Sequence, residues 1–494
     1  MMRNHCFAAP WQLPMLAALG VLLLPAVAAA EETNRPPNIV FILADDLGYG
    51  DLGCYGQKRI QTPHIDALAK EGMRFTDFYA GCTVCAPSRC VLMTGYHMGR
   101  CWVRGNAGQG NRQIQCLRDQ DVTVAEVLKQ AGYATALCGK WGLGEEGTAG
   151  VPTKQGFDYF YGYLNQHHAH NYYPAYLFRG EERVPLANVV PGSGDFGVGV
   201  ASRKVQYSPE LITAEALKWI GENKDRPFFL YYAVTLPHAN NEGRQEGMEV
   251  PDLGEYAAAD WPPAQKAHAA MISWLDRDVG RLMARLRELG LDENTLVLFS
   301  SDNGPHAEGG NDPQFNDSSG PLRGIKRDLT EGGIRVPFIA RWPGKIKAGA
   351  TSDFVGSFAD VMPTLADVAG GKADLPKNLD GLSIAPTLLG RAADQRQHEH
   401  LYWAFYERGG AQAARKGKWK AVQQPYHSPV RLYDLSQDLG EERDVADEHP
   451  EMVAELTAAM QRAYQPNENW RFPDQPPAGG AKGKGKAKAN ARKS

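Results

Sequence analysis

The sequence predicts an α/β protein: a mixed, mainly parallel sheet sandwiched by helices, with a smaller C-terminal α+β subdomain. Apolar runs rich in β-branched residues stop abruptly at polar residues, and helical patterns fall between them. Continuous apolar runs suit strands buried on both faces, and strands that alternate with helices build a covered parallel sheet. Length supplies the subdomain: 494 residues are too many for one simple core.

The first strand is read over Asn38-Ile39-Val40-Phe41-Ile42-Leu43-Ala44, stopping at Asp45-Asp46. A helical pattern over Thr123–Leu128 precedes the run Tyr133–Cys138, which stops at Gly139-Lys140. Pro227–Val234 stops at Thr235-Leu236-Pro237-His238. A second helical pattern, Ala270 to Leu289, leads into Thr295–Phe299, which stops at Ser300-Ser301-Asp302-Asn303. In such sheets ligands gather beyond the carboxyl ends of the strands. One edge would therefore collect Asp45, Asp46, Lys140, His238, Asp302 and Asn303. Taken singly, Asp45-Asp46-Leu47-Gly48 and Asp302-Asn303-Gly304 read as local turns. Taken together, three carboxylates and an amide oxygen form a hard set that suits Ca²⁺ or Mg²⁺ rather than zinc.

The termini have a different composition. Arg3 and an apolar stretch from Leu13 to Ala30, ending in small residues, predict a signal peptide over residues 1–30. An uncleaved anchor is the alternative, against which Pro14 and Pro25 interrupt the run. No other segment reads as a stable membrane span, so the mature protein is expected to be exported, periplasmic or secreted. Export permits disulfides among Cys54, Cys82, Cys90, Cys101, Cys116 and Cys138, with no connectivity implied. Residues 475–494 read as a basic disordered tail, with five Lys and one Arg from Lys482 onward. The whole chain carries a net charge of -4, which with export argues against nucleic acid as a partner.

The sharpest motif is Cys85-Ala86-Pro87-Ser88-Arg89, continuing into Cys90-Val91-Leu92-Met93-Thr94-Gly95. A thiol beside proline and arginine at the mouth of an apolar run reads as a nucleophile precursor. The stretch resembles the sulfatase signature, C-x-P-S-R followed by a helix containing T-G. The resemblance covers about Pro36 to Asp447 and implies an alkaline-phosphatase-like fold. It implies a catalytic domain over 36–380 and an antiparallel-sheet subdomain over 381–470, which would hold Asp380-Gly381-Leu382-Ser383 and Leu432-Tyr433-Asp434-Leu435. Gly417–Val422 reads as one of that subdomain's strands.

The same resemblance implies an arylsulfatase-like sulfuric ester hydrolase. Cys85 would be oxidised by a formylglycine-generating enzyme to 3-oxoalanine (formylglycine), whose hydrate, a gem-diol, attacks sulfur. Asp45, Asp46, Asp302 and Asn303 would bind one calcium ion, or magnesium, with the modified Cys85 facing it. Arg89 would anchor the hydrated aldehyde and Lys140 would touch both aldehyde and sulfate. Lys326, before Glu331-Gly332-Gly333-Ile334-Arg335-Val336-Pro337, matches a second sulfate-binding lysine. His238 matches the acid that protonates the leaving group.

One position departs from the family pattern. Many sulfatases carry Lys-x-His where this chain has Lys140-Trp141-Gly142. His168, His170 or His306 could supply the missing imidazole or shape a substrate rim. Aromatic and polar residues crowd Phe157–Phe178 and Leu401–Glu407, which suits a sulfated carbohydrate, with aryl sulfate esters as surrogates. Two alternatives stay open: a phosphonate monoester or phosphodiester hydrolase, and a non-catalytic glycan-binding protein that keeps Cys85 as a thiol. A zinc phosphatase is disfavoured, because clustered histidine ligands and a Ser or Thr nucleophile are missing.

Overall fold

Asn38–Ala44 lies inside a ten-stranded sheet and divides its side chains between two cores. Ile39, Phe41 and Leu43 face one core, whereas Val40, Ile42 and Ala44 face the other. Successive side chains of a strand point to opposite faces, so an unbroken apolar run is what a doubly covered strand needs. The strand Phe228–Ala233 divides the same way, with Phe229 and Tyr231 on one side and Leu230 and Tyr232 on the other.

This computed structural model describes residues 35–473 except 108–110, 193 and 372–373, together with Ala8. The expected signal peptide, Ala8 aside, and the basic tail lie outside the described residues. Across the sheet the strands run Ala350–Ser352, Met73–Phe75, Phe338–Arg341, Thr295–Ser301, Asn38–Ala44, Phe228–Ala233, Ala134–Lys140, Tyr159–Tyr163, Tyr176–Arg179 and Glu182–Pro185. The five strands from Thr295–Ser301 to Tyr159–Tyr163 are mutually parallel. Phe338–Arg341 and Tyr176–Arg179 flank them antiparallel. Ala44 pairs with Ser301, Leu43 with Ala233, and Gly139 with Ala233. The residues that follow Ala44, Ala233 and Ser301 therefore emerge along one edge, beside Lys140 at the end of its strand. Gly139 is needed for this closeness: a Cβ there would lie 1.9 Å from the Ala233 carbonyl oxygen, and its φ is +127°.

Helices cover both faces. Pro263–Glu288 starts earlier than the apolar pattern indicates, because Pro263 occupies the first turn after an extended Pro262. Its buried stripe of Met271, Leu275, Val279, Leu282 and Leu286 packs into one core. Val124–Gln130 begins at a reciprocal cap in which Thr123 and Glu126 bond each other's backbone N–H. Cys85–Thr94 is buried along its whole length and ends at Gly95, whose φ of +70° closes the helix.

The C-terminal part forms a separate four-stranded antiparallel sheet, Leu401–Phe405, Ala411–Lys416, Trp419–Gln423 and Arg431–Asp434. The strand expected from Gly417 starts at Trp419, because Gly417 turns the hairpin at φ +55°. Trp403 Nε1 donates to the Ala80 carbonyl at 3.0 Å, and Trp403 shares one apolar core with Phe41 and Phe78. Among the described residues every cysteine is a free thiol, and no helix is long and apolar enough to cross a membrane.

Candidate active site

The carboxyl ends of the parallel strands gather one continuous polar network. Asp46, directly after the Asn38–Ala44 strand, holds a left-handed backbone at φ +63°, a strained state for a residue with a Cβ. The surroundings fix it: Asp46 N–H donates to Asp302 Oδ1 at 3.1 Å, and Leu47 N–H donates to Ser301 Oγ at 2.9 Å. Asn303 Nδ2 donates to Asp46 Oδ1 at 2.6 Å. These bonds tie two strand ends together.

Cations close the network. Cys85 and Arg89 lie four positions apart on one helix and so share a face. Arg89 grips Asp302 Oδ2 through Nε at 3.0 Å and Nη2 at 2.7 Å, and its Nη1 donates to the Lys140 carbonyl at 2.8 Å. Lys140 Nζ donates to Asp45 Oδ2 at 2.7 Å. Lys326 Nζ donates to Asp46 Oδ2 at 2.8 Å, to Glu308 Oε2 at 3.1 Å and to His238 Nε2 at 3.2 Å. His238 Nδ1 sits 2.6 Å from the Ala239 carbonyl oxygen, so Nδ1 carries the proton and Nε2 is free to accept. Tyr172 holds that turn by donating to the Thr235 and His238 carbonyls at 2.7 and 2.5 Å.

Burial acts on every member. It works to raise Asp45, but Lys140, His238 and Arg89 bring the carboxyl down to about 2. Burial, with the Asp45 charge next, pushes Asp302 up to about 7. Burial, reinforced by the Lys326 charge, lowers His238 to about 3. Burial also pushes the Cys85 thiol well above its usual range, with Sγ 3.6 Å from Asp45 Oδ1.

Two observations suit this pocket to a metal ion. Donor atoms of Asp45, Asp46, Cys85 and His238 lie within 4.8 Å of one another. Asn303 Oδ1 is a buried acceptor with no hydrogen-bond partner, which is costly unless something else binds it. Carboxylates and an amide oxygen are the donors that a hard divalent cation prefers.

Thus Asp45, Asp46, Cys85, Arg89, Lys140, His238, Asp302, Asn303 and Lys326 all meet. The three further histidines part ways. His170 stacks on His238, with rings 4.9 Å apart and inclined by 14°, and its Nδ1 lies 3.2 Å from Glu242 Oε2. His306 lies behind His238, at 5.9 Å between rings, with Nε2 3.2 Å from the Pro237 carbonyl. His168 turns away, packed between Tyr163 and Tyr176 in the wall of a separate cavity.

Sequence reasoning missed Glu308, which bridges Lys326 and Arg327, although it lies just two residues past His306 in the same loop. It also missed Gln166. A Cβ on Gly142 would fall 2.1 Å from Gln166 Nε2, and that nitrogen is buried without a partner. Gln166, from another loop, thus occupies space that any side chain at position 142 would need, a contact no local pattern could reveal.

A parallel sheet whose strand ends converge on a buried cysteine, paired carboxylates and lysines is the arrangement expected of an alkaline-phosphatase-like hydrolase. The chain matches the Sulfatase family model over residues 37–371 and the N-sulphoglucosamine sulphohydrolase C-terminal model over residues 325–466. It is 37% identical to arylsulfatase A of Homo sapiens over 484 residues, covering 88% of this chain and 89% of that one. It is 33% identical to N-acetylgalactosamine-6-sulfatase of Canis lupus familiaris, covering 83% of this chain and 76% of that one. Among solved structures, Ps i-CgsB in complex with k-i-k-neocarrahexaose superposes with a TM-score of 0.74 at 28% identity, covering 89% of this chain and 96% of that one. The chain belongs to the sulfatase family, and its activity is that of a sulfuric ester hydrolase.

Proposed function

We propose that this sulfatase removes sulfate from a sulfated carbohydrate, using an aldehyde made from Cys85 and one calcium ion. The observation that carries the reading is the Cys85 thiol itself. It opens a buried helix and faces Asp45 directly, within a network that also holds Arg89, Lys140 and Lys326. Asp45, Asp46, Asp302 and Asn303 would hold the ion. When present, the hydrated aldehyde supplies a nucleophilic hydroxyl and the ion supplies positive charge beside a sulfate oxygen.

The remaining work falls to side chains of this chain. Lys140 and Lys326 place ammonium groups where the equatorial sulfate oxygens gain charge in the transition state. Arg89 acts on its neighbours, fixing Asp302 and the Lys140 carbonyl. His238 is oriented through Nδ1, so Nε2, once protonated, is the atom that would give a proton to the departing alcohol. Residues 36–380 would form the catalytic domain and 381–470 the subdomain beside it. The apolar leader supports export, where a sulfated polysaccharide would be met.

The carbohydrate class is supported by a relative named for N-acetylgalactosamine and a structural neighbour solved in complex with k-i-k-neocarrahexaose. Mass spectrometry of the peptide spanning Cys85, paired with sulfate-release assays, tests the reading. The aldehyde should be present, and chelation of calcium should suppress sulfate release until the ion is restored. An unmodified thiol in active protein, or faster turnover of aryl phosphonates than of aryl sulfates, would overturn it.

A further inference from the structure

A separate cavity of about 470 Å³ is lined by loops that continue from the strands of the catalytic centre, and nothing in the reaction above uses it. Its size falls in the small-molecule range of about 300–1,000 Å³. The strands that build the centre also build this cavity: Glu145 and Glu146 follow Lys140, and Leu164 and Asn165 follow Tyr163. His167 lies between the two. Its ring lies 5.3 Å from that of His170, which stacks on His238, and its neighbour His168 lines the cavity.

The wall combines a ring, charged forks and an unpaired donor. Phe196 is 51% exposed, a rare state for a large apolar side chain in this protein, and the Arg112 guanidinium covers it at 3.1 Å from the ring centroid. Arg112 is only 8% exposed, yet its Nη1 has no hydrogen-bond partner, and Glu145 Oε2 stands 3.9 Å away. Arg183 pairs with Glu146 at 2.6 Å. Two arginines against two glutamates leave no net field to attract a second anion. A mixture of donors and acceptors beside an aromatic face is what a neutral sugar ring needs, with hydroxyls for the forks and C–H groups for the ring.

We propose that this cavity is a subsite for an unsulfated sugar residue next to the sulfated one, with Phe196 as its platform and Arg112 as its hydroxyl ligand. It makes the enzyme selective for oligosaccharides over isolated sulfated monosaccharides. The inference rests on the carbohydrate reading above, and its test separates the two.

Sulfate release is measured from 4-nitrocatechol sulfate and from sulfated galactose and N-acetylgalactosamine, each as monosaccharide and oligosaccharide, for wild type, Phe196→Ala and Arg112→Gln. Binding of the desulfated oligosaccharides is followed in parallel by saturation-transfer NMR, which needs no turnover. Phe196→Ala should raise the oligosaccharide KM roughly tenfold, about the size of one lost aromatic contact. It should leave kcat and all 4-nitrocatechol sulfate kinetics unchanged, and it should weaken the transfer signal from the desulfated ligand. Arg112→Gln should act in the same direction. Unchanged oligosaccharide KM and binding in both variants overturn the subsite, as does an equal loss on the aryl ester. Should wild type release no sulfate from any ester yet bind desulfated oligosaccharide through Phe196, the catalytic reading fails and the subsite stands.

Discussion

Two clusters of charge are buried in this protein, and they differ in what their own cations leave unsatisfied. At the strand ends, Asp45, Asp46 and Asp302 crowd one another, and burial with the Asp45 charge lifts Asp302 to about 7. Beneath the C-terminal sheet, Glu331 instead meets Lys420 at 2.7 Å and Arg335 at 3.0 Å, and also accepts from Tyr79 at 2.6 Å. Those cations overcome burial and hold Glu331 at about 2. Arg335 and Arg415 also reach Asp77 at 3.0 and 2.8 Å, stitching the subdomain to the main sheet. Burial of charge therefore does not identify a functional site. What sets the first apart is that, even with Arg89, Lys140 and Lys326 in place, Asp302 stays raised and Asn303 Oδ1 beside it is a buried acceptor with no partner.

The two clusters should respond oppositely to substitution. Cys85→Ala, in the first, removes the proposed nucleophile precursor from a fully packed helix. Sulfate release should fall by about 10⁴-fold or more, on the scale of other nucleophile deletions, while the unfolding midpoint in urea moves little. Glu331→Gln, in the second, leaves Lys420 buried with half its partners. A broken buried pair costs about 3–5 kcal/mol, so urea should unfold this variant at a clearly lower concentration. Its turnover per folded molecule should stay near wild type. If Glu331→Gln instead abolished turnover in fully folded protein, the division between the clusters would be wrong.

The first cluster was more legible in the sequence than the second, for a physical reason. A parallel sheet fixes where strand ends go, so apolar runs that stop at Asp45, Lys140, His238 and Asp302 already imply a common edge. The contiguous Cys85–Gly95 motif supplied the rest. Glu331, Lys420 and Arg415 come from separate segments whose contact depends on how two sheets pack, and no periodicity encodes that. His168 and His170 show the limit at short range. Both lie in one 3₁₀ turn, His168–His170, where neighbouring positions point to different sides, so only one could reach His238. Spacing alone did not say which.

A lone buried carboxylate sharpens the comparison. Asp51 is fully buried, accepts the Gly48 N–H at 2.7 Å and, among the described residues, has no cation partner. Burial, with the Asp317 charge adding, raises it to about 7 from 3.8. The folded protein then keeps this proton at pH values where the unfolded chain has lost it. The stabilising contribution is complete below about pH 4 and disappears as pH rises through about 7. Asp51→Asn has no proton to lose, so its thermal midpoint should gain on wild type between pH 5 and pH 8. A shift of this size corresponds to at most about 4 kcal/mol. A difference between the two proteins that stays flat with pH would show that Asp51 is already charged when folded.

The smallest effect tests the departure from the family pattern at the edge of the first cluster. Gly142 has φ +78°, and any side chain there would run into Gln166 Nε2 and Cδ, at 2.1 and 2.8 Å from the new Cβ. Restoring the histidine alone, as Gly142→His, should therefore harm the fold by about 1–3 kcal/mol through overpacking and backbone strain. Gln166→Gly removes the obstruction and leaves a void of similar volume. The double variant should recover most of the loss, so the two changes should be strongly non-additive in a urea cycle. Additive losses would mean that Gln166 and residue 142 do not compete for one space. In that case the buried carboxamide owes its position to the loop that carries it rather than to the missing imidazole.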